Sequence, residues 1–178
     1  MPARIPAASL AALVAALLCG RAHPAAAGED DRSLSMSASY ATYSSGDNSP
    51  AGTALGLEYE RGFGDAMSFR VDGGGGVYFA SLGKDGKTSY STHATVGLTY
   101  AFDVVRYVPY ATVGLGGIWI FGGDQDAKLN GLVEFGIGLD VLESRRFSWG
   151  VQARLESFVQ ETSFFTAGVR ATYRWGFF

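Results

Sequence analysis

The stretch that decides the fold is residues 169–177, VRATYRWGF, close to the end of the 178-residue chain. In an extended strand its side chains alternate, so Trp175 falls on one face while Arg170 and Arg174 fall on the other. The same period recurs along the chain, with ionisable residues on one face and a wide apolar band on the other. No helical segment is predicted that could cover this apolar face. We therefore expect the sheet to close on itself, with apolar side chains outside and polar ones inside.

The first 27 residues have the pattern of a secretory signal peptide. Arg4 gives a basic start, and residues 5–18 form an apolar run that is too short for a membrane helix. Alanines at 25–27 supply the small residues that signal peptidase reads. We predict cleavage between Ala27 and Gly28, which leaves residues 28–178 as one barrel domain.

A lipoprotein signal that ends at Cys19 is the alternative, but Leu18 is larger than the residue that usually precedes a lipoprotein cysteine. Removing the signal peptide also removes Arg4 and Arg21, so the net charge of −3 becomes about −5. The remaining chain is mildly acidic, has three lysines and lacks cysteine. This composition argues against a nucleic-acid partner, and its glycines and aromatic residues favour a narrow barrel over disorder.

Turn signals divide the mature chain into eight predicted strands. They lie near residues 33–43, 53–62, 67–79, 90–102, 108–121, 130–141, 147–156 and from 164 to the terminus. The fifth is apolar on both faces and rich in glycine, which leaves its register open to a bulge. We predict that its lipid-facing residues are Ala111, Val113, Leu115 and Trp119. The connections after odd-numbered strands are predicted to be the longer ones, which places both termini in the periplasm.

Aromatic residues cluster near the predicted strand ends, as expected for girdles at the two headgroup levels of a membrane. One girdle would contain Tyr59, Tyr100, Trp149, Trp175 and Phe177. The other would contain Phe79, Tyr90, Trp119 and Phe165.

The chain resembles the OmpA/OmpX-like outer-membrane β-barrels in its signal peptide, its eight amphipathic strands, its segment 109–116 (PYATVGLG) and its aromatic final strand. The resemblance implies an all-β, eight-stranded, antiparallel, up-and-down transmembrane β-barrel in the bacterial outer membrane. It further implies a monomer that contacts outer-membrane lipids and lipopolysaccharide and is inserted by the barrel assembly machinery. The family's assembly signal would fall on Tyr173, Trp175, Phe177 and Phe178, although Phe178 is one step out of phase with the alternation.

The inward face is predicted to hold a polar network, because an eight-stranded barrel is just wide enough for side chains to fill it. Its members are six acids (Glu58, Glu60, Asp72, Glu134, Asp140 and Glu156), four arginines (Arg70, Arg154, Arg170 and Arg174) and His93. Buried charges of opposite sign should pair, since an unpaired one costs several kcal/mol. We interpret the set as a plug that holds the wall in register. A gated conduit whose ion pairs exchange partners is the alternative.

Catalysis is not expected, although some small outer-membrane barrels act on lipids. Ser91 and His93 lie two residues apart on one predicted face. Lipid A deacylases carry the order His-x-Ser near the lipid-facing surface. Here the order is Ser-x-His, and the pair is predicted to face the barrel interior. Neither a cofactor nor a metal site is predicted. We expect a structural or surface-interaction role without a wide pore. A narrow channel or small-solute transporter is the first alternative, and a lipid-modifying enzyme is the second.

Overall fold

The computed structural model describes residues 31–44, 50–79, 88–102, 106–122, 128–158 and 163–176. The predicted signal peptide with its Ala27–Gly28 cleavage site, and the last two residues of the predicted assembly signal, lie outside these ranges. The described part contains the strands β1 (Arg32–Ser44), β2 (Ala51–Gly62), β3 (Met67–Phe79), β4 (Ser89–Ala101), β5 (Tyr107–Gly122), β6 (Lys128–Leu142), β7 (Phe147–Phe158) and β8 (Ser163–Trp175).

The eight strands form a closed barrel in which each strand pairs with its sequence neighbours and β8 pairs with β1. All eight pairings are antiparallel. This architecture confirms the predicted fold class. Among the described residues, no helix is long and apolar enough to cross a membrane.

The stagger of the strands sets the width of the barrel. A circuit of the barrel along directly paired residues starts at Leu34 on β1 and returns to β1 at Ser44, ten residues farther along, so the shear number is ten. The residues passed on the way are Tyr59, Val71, Val96, Leu115, Val133, Ser157 and Ser163. For eight strands this stagger corresponds to a strand tilt of about 40° and a wall radius of about 8 Å. Inward side chains from opposite walls can therefore meet at the axis.

Along every strand, one set of apolar side chains faces outward. Leu55 on β2 is 69% exposed and Ile137 on β6 is 64% exposed, whereas Glu58 and Glu134 on the opposite faces of the same strands are buried. In β5, Val113, Leu115 and Trp119 are exposed, as the sequence predicts. The pairing of β5 with both neighbours is regular throughout, so the bulge that its glycines allow is not present.

The two ends of the barrel differ in their connections. The turn end holds the start of β1, the end of β8 and three connections of four, five and four residues. The loop end holds the other four connections, which have six, nine, five and four residues. The predicted alternation in length is therefore wrong for the β7–β8 connection, and the β5–β6 connection is no longer than the β4–β5 one. The β7–β8 connection is short because β7 and β8 extend farther toward the loop end than the sequence pattern indicates.

Outward aromatic residues gather at both ends of the wall. At the turn end the ring centroids of Tyr59 and Trp175 are 6.3 Å apart and those of Tyr173 and Trp175 are 6.0 Å apart. At the loop end Phe121 stacks on Tyr90 with a centroid distance of 5.7 Å. Between these two levels the outward face is apolar, which is the surface that lipid chains solvate.

Candidate functional site

The barrel interior contains an ionic layer, which consists of Glu58, Arg70, Asp72, Glu134, Arg154 and Arg170. Glu58 lies at its centre, where three arginines meet its carboxylate. Arg70 Nη1 donates to Oε2 at 3.1 Å, Arg154 Nη2 donates to the same oxygen at 2.6 Å, and Arg170 Nη1 donates to Oε1 at 2.9 Å. Glu58 is 3% exposed, so these bonds lie away from solvent.

The other two acids of the ionic layer, Asp72 and Glu134, accept hydrogen bonds from guanidinium nitrogens that do not bond to Glu58. Arg70 Nη2 donates to Glu134 Oε1 at 2.5 Å, and Arg154 Nη1 donates to Asp72 Oδ1 at 2.9 Å. Thr95 also donates a hydrogen bond to Asp72. Every arginine of the layer therefore touches at least two acids, counting the Asp140 contact of Arg170 at 3.2 Å. Such a network cross-links strands that are not neighbours in the wall.

Two glycines lie between Arg70 and Glu134. Arg70, Gly97, Gly114 and Glu134 are successive partners in one cross-strand row. An ideal Cβ at Gly114 would lie 3.0 Å from Arg70 Nη2, and one at Gly97 would overlap the carbonyl oxygen of Val113. Because both positions lack a side chain, the Arg70 side chain can lie flat across two strands and reach Glu134.

A second polar cluster lies nearer the turn end. Arg174 Nη2 donates to Asp140 Oδ2 at 3.0 Å and its Nη1 donates to Ser148 Oγ at 2.7 Å. Arg170 joins this cluster to the ionic layer through Asp140, and its guanidinium carbon lies 4.4 Å from the centre of the Tyr110 ring. The charged interior is thus continuous from Glu134 to Arg174.

Three predicted members of the network occupy other surroundings. Glu60 accepts hydrogen bonds from Thr99 at 2.7 Å and from Ser33 at 3.4 Å, so the partners seen for it are hydroxyls. Glu156 is buried directly across from Glu134. His93 lies opposite Gly74, whose missing side chain makes room for the imidazole, since a Cβ there would lie 2.9 Å from His93 Cε1.

The sequence interpretation missed an aromatic plug inside the loop end of the barrel. It consists of Ala41, Tyr43, Tyr78, Ile118, Ile120, Leu132 and Phe164, all of them buried. The Tyr43 ring stacks on Phe164 with a centroid distance of 4.9 Å, and Tyr78 packs edge-on against Tyr43 at 5.0 Å. The available signal was the apolar character of β5 on both faces, because one face meets lipid and the other enters this plug.

The hydroxyls of the plug tyrosines point to polar neighbours. Tyr78 Oη accepts a hydrogen bond from Ser91 Oγ at 3.2 Å, and Tyr43 Oη lies 3.4 Å from Ser89 Oγ. Ser91 is therefore engaged with the plug. No group of three or more metal-ligating side chains occurs among the described residues.

A closed eight-stranded wall with an apolar outer face and a charged interior defines a small transmembrane barrel. A family model described as "Outer membrane protein beta-barrel domain" matches residues 11–175. The chain belongs to this outer-membrane β-barrel family, and it is a bacterial outer-membrane protein. Search of the curated proteins gives no match.

Solved structures with the same fold include Neisserial surface protein A, at 15% identity and a TM-score of 0.64, covering 80% of this chain and 96% of that one. The attachment invasion locus protein Ail of Yersinia pestis is 13% identical with a TM-score of 0.58, covering 83% of this chain and 99% of that one. The outer membrane enzyme PagL is 19% identical with a TM-score of 0.54, covering 79% of this chain and 98% of that one. At these identities the likeness concerns the fold.

Proposed function

We propose that this outer-membrane barrel has a structural or surface-interaction role and does not form a wide pore. The observation that carries the proposal is the filling of the interior by two successive layers, the aromatic plug and the ionic layer. With a wall radius of about 8 Å, side chains from opposite walls are long enough to occupy the cross-section. A buried charge that loses its partner costs about 3–5 kcal/mol, which opposes any rearrangement that would separate these ion pairs.

The fold alone does not choose between roles, because barrels of similar structure include both the attachment protein Ail and the enzyme PagL. The interior supports the non-enzymatic role. The ion pairs of the ionic layer cross-link the strands, which suits a barrel that must keep its strand register. Surface contacts would then be made by the connections at the loop end. Those connections carry both lysines and acids, which suits polar partners such as lipopolysaccharide phosphates.

Planar bilayer recording tests the closed state. We expect the purified, folded mature chain to give no long-lived conductance steps of porin size, because wide aqueous channels require barrels of about 16–18 strands. A sixteen-stranded porin inserted in the same bilayers is the positive control. Long-lived, porin-sized steps would contradict the proposal, and small steps that depend on a particular solute would favour the narrow-channel alternative.

The lipid-modifying alternative makes its own prediction. Mass spectra of lipid A and phospholipids should be the same in cells that express the wild-type chain, the His93→Ala variant or neither. The reason is that Ser91 is bound to Tyr78 and His93 lies on the inward face, away from acyl chains. A deacylated lipid that appears with the wild type and disappears with His93→Ala would refute the non-enzymatic role.

A further inference from the structure

Inward side chains are partly exposed at one level of the barrel, between the ionic layer and the aromatic plug. On β1 the two residues at this level are Ser37 and Ser39, and both are partly exposed. The inward residues on either side of them, Ser35 and Ala41, are 2% and 0% exposed. Small inward residues of β1 are therefore hidden where the interior is packed. The exposure of the two serines indicates a void of at least the size of a water molecule.

The same pattern occurs on β2 and β4. Ala54 and His93 point inward and are partly exposed, whereas Ser91 and Thr95 on either side of His93 are buried. Cross-strand pairs connect these positions, since Ser39 pairs with Ala54, and a second row leads from Ser37 to His93 through two glycines. We call this void the interior chamber. It is lined by Ser37, Ser39, Ala54, Gly56, Gly74 and His93.

Packed layers lie at both ends of the interior chamber. Toward the loop end, the inward faces of β1, β3 and β8 continue into buried members of the aromatic plug, which are Ala41, Tyr78 and Phe164. Toward the turn end, the inward faces of β2, β3 and β8 continue into buried members of the ionic layer, which are Glu58, Asp72 and Arg170. The chamber is therefore a pocket between two layers.

The polar groups of the chamber face a bare part of the wall. A Cβ at Gly56 would lie 2.8 Å from Ser37 Oγ, and a Cβ at Gly74 would lie 2.9 Å from His93 Cε1. Because Gly56 and Gly74 are direct partners, the hydroxyl and the imidazole approach each other over the two glycines. Among the described residues, no hydrogen-bond partner is seen for the side chains of Ser37, Ser39 or His93.

These groups determine what the chamber can hold. An apolar void stays dry, whereas a void lined by polar groups holds water, and a buried water makes two to four hydrogen bonds. A serine hydroxyl donates and accepts, and a neutral imidazole offers one donor and one acceptor. The charged groups next to the chamber, Glu58, Asp72 and Arg170, are engaged in ion pairs of the ionic layer. The lining therefore favours a small neutral occupant over an ion.

We propose that the interior chamber is a closed water site, in which bound water bridges the hydroxyls of Ser37 and Ser39 to the His93 imidazole. The water supplies the hydrogen bonds that these three side chains lack in the described part of the chain. The closure of the site rests on the proposed closed interior, but its occupation by water does not.

Magnetisation transfer from water to His93 tests the occupation. His93 is the only histidine in residues 28–178, so isotope-labelled histidine gives a single imidazole signal. In nanodiscs, we expect a nuclear Overhauser effect between water and His93 Cε1–H. Ala54→Leu places an apolar side chain in the chamber and should weaken this effect at least about twofold, because apolar surroundings exclude water. Thr53→Leu, which adds the same side chain on the outward face, should leave it unchanged. No effect in the parent protein, or equal effects in all three proteins, would overturn the proposal.

Urea unfolding of the same variant tests the void. Ala54→Leu should shift the urea midpoint by no more than about 0.5 M, because the chamber accepts the added volume. Ala41→Leu is the matched change in the fully buried plug, and it should lower the midpoint by about 1 M or prevent folding. An equally large loss with Ala54→Leu would refute the void.

Modification by diethyl pyrocarbonate tests the closure separately. The reagent is larger than water and acylates accessible imidazoles, so His93 should stay unmodified in the folded barrel and react after unfolding in urea. Water transfer combined with rapid modification of the folded barrel would retain the water but refute the closed interior. Failure of the closure is thus distinguishable from failure of the water site.

Discussion

Glu58→Gln should lower the free energy of unfolding by about 3–5 kcal/mol, because three buried arginines lose their common counter-charge. The glutamine amide also turns one carboxylate oxygen into a donor that faces guanidinium donors. The measurement is urea unfolding of the mature chain in phospholipid vesicles, followed by tryptophan fluorescence. Loss of heat-modifiable gel mobility at lower urea concentration would report the same change.

Glu60→Gln is the matched control for this change, since it makes the same substitution two residues along the same inward face. The partners seen for Glu60 are the hydroxyls of Thr99 and Ser33, which can also bond to an amide. We expect a loss of at most about 1 kcal/mol. Equal losses at the two positions would mean that the ionic layer contributes nothing specific to stability.

Gly114→Val should destabilise the barrel by about 3 kcal/mol. The new Cβ would lie 3.0 Å from Arg70 Nη2 and 3.3 Å from the carbonyl oxygen of Val96. Arg70 is fully buried and held by Glu58 and Glu134, so it cannot move aside without weakening its contacts with both acids. The same urea titration measures this effect.

Gly117→Val provides the comparison in the same strand. A Cβ at Gly117 meets Leu129 at 3.5 Å and Asn130 O at 3.6 Å, which are ordinary contacts. Valine favours strands and would face lipid there, so we expect stability to stay within about 1 kcal/mol of the wild type or to rise. A loss at Gly117 as large as that at Gly114 would show that β5 tolerates no side chain in place of glycine, whatever its face.

The fold could be predicted from sequence because the alternation of side chains between the two faces of a strand can be recognised within a single segment. In β8, the positions of Arg170 and Arg174 relative to Trp175 assign both faces without knowledge of any partner strand. Eight such segments with the same apolar face leave few architectures other than a closed barrel. The regular pairing of β5 was less predictable, because apolar residues on both faces are compatible with more than one register.

The partners inside the barrel could not be predicted in the same way. Arg70 reaches Glu134 only because the register places Gly97 and Gly114 between them. That register depends on the stagger of the whole barrel, which no single segment encodes. Composition indicates that buried acids and arginines must pair, but it does not say which pairs form.

Strand ends were the other source of error. The predicted first strand begins at residue 33, which leaves Arg32 outside the wall, and the second is predicted to begin after Gly52, although β2 begins at Ala51. The hydrogen bond from Gly62 N to Asp31 O extends the ladder past Arg32. A charged residue at a strand end resembles a turn residue in sequence, and only the pairing distinguishes the two.

The aromatic plug is built entirely from side chains on the strands. Under the proposed closed interior, the permeability barrier would therefore reside in the strands, and the connections predicted to face outside would carry none of it. Those connections could then change in sequence, or accept a grafted epitope, without opening a path through the barrel.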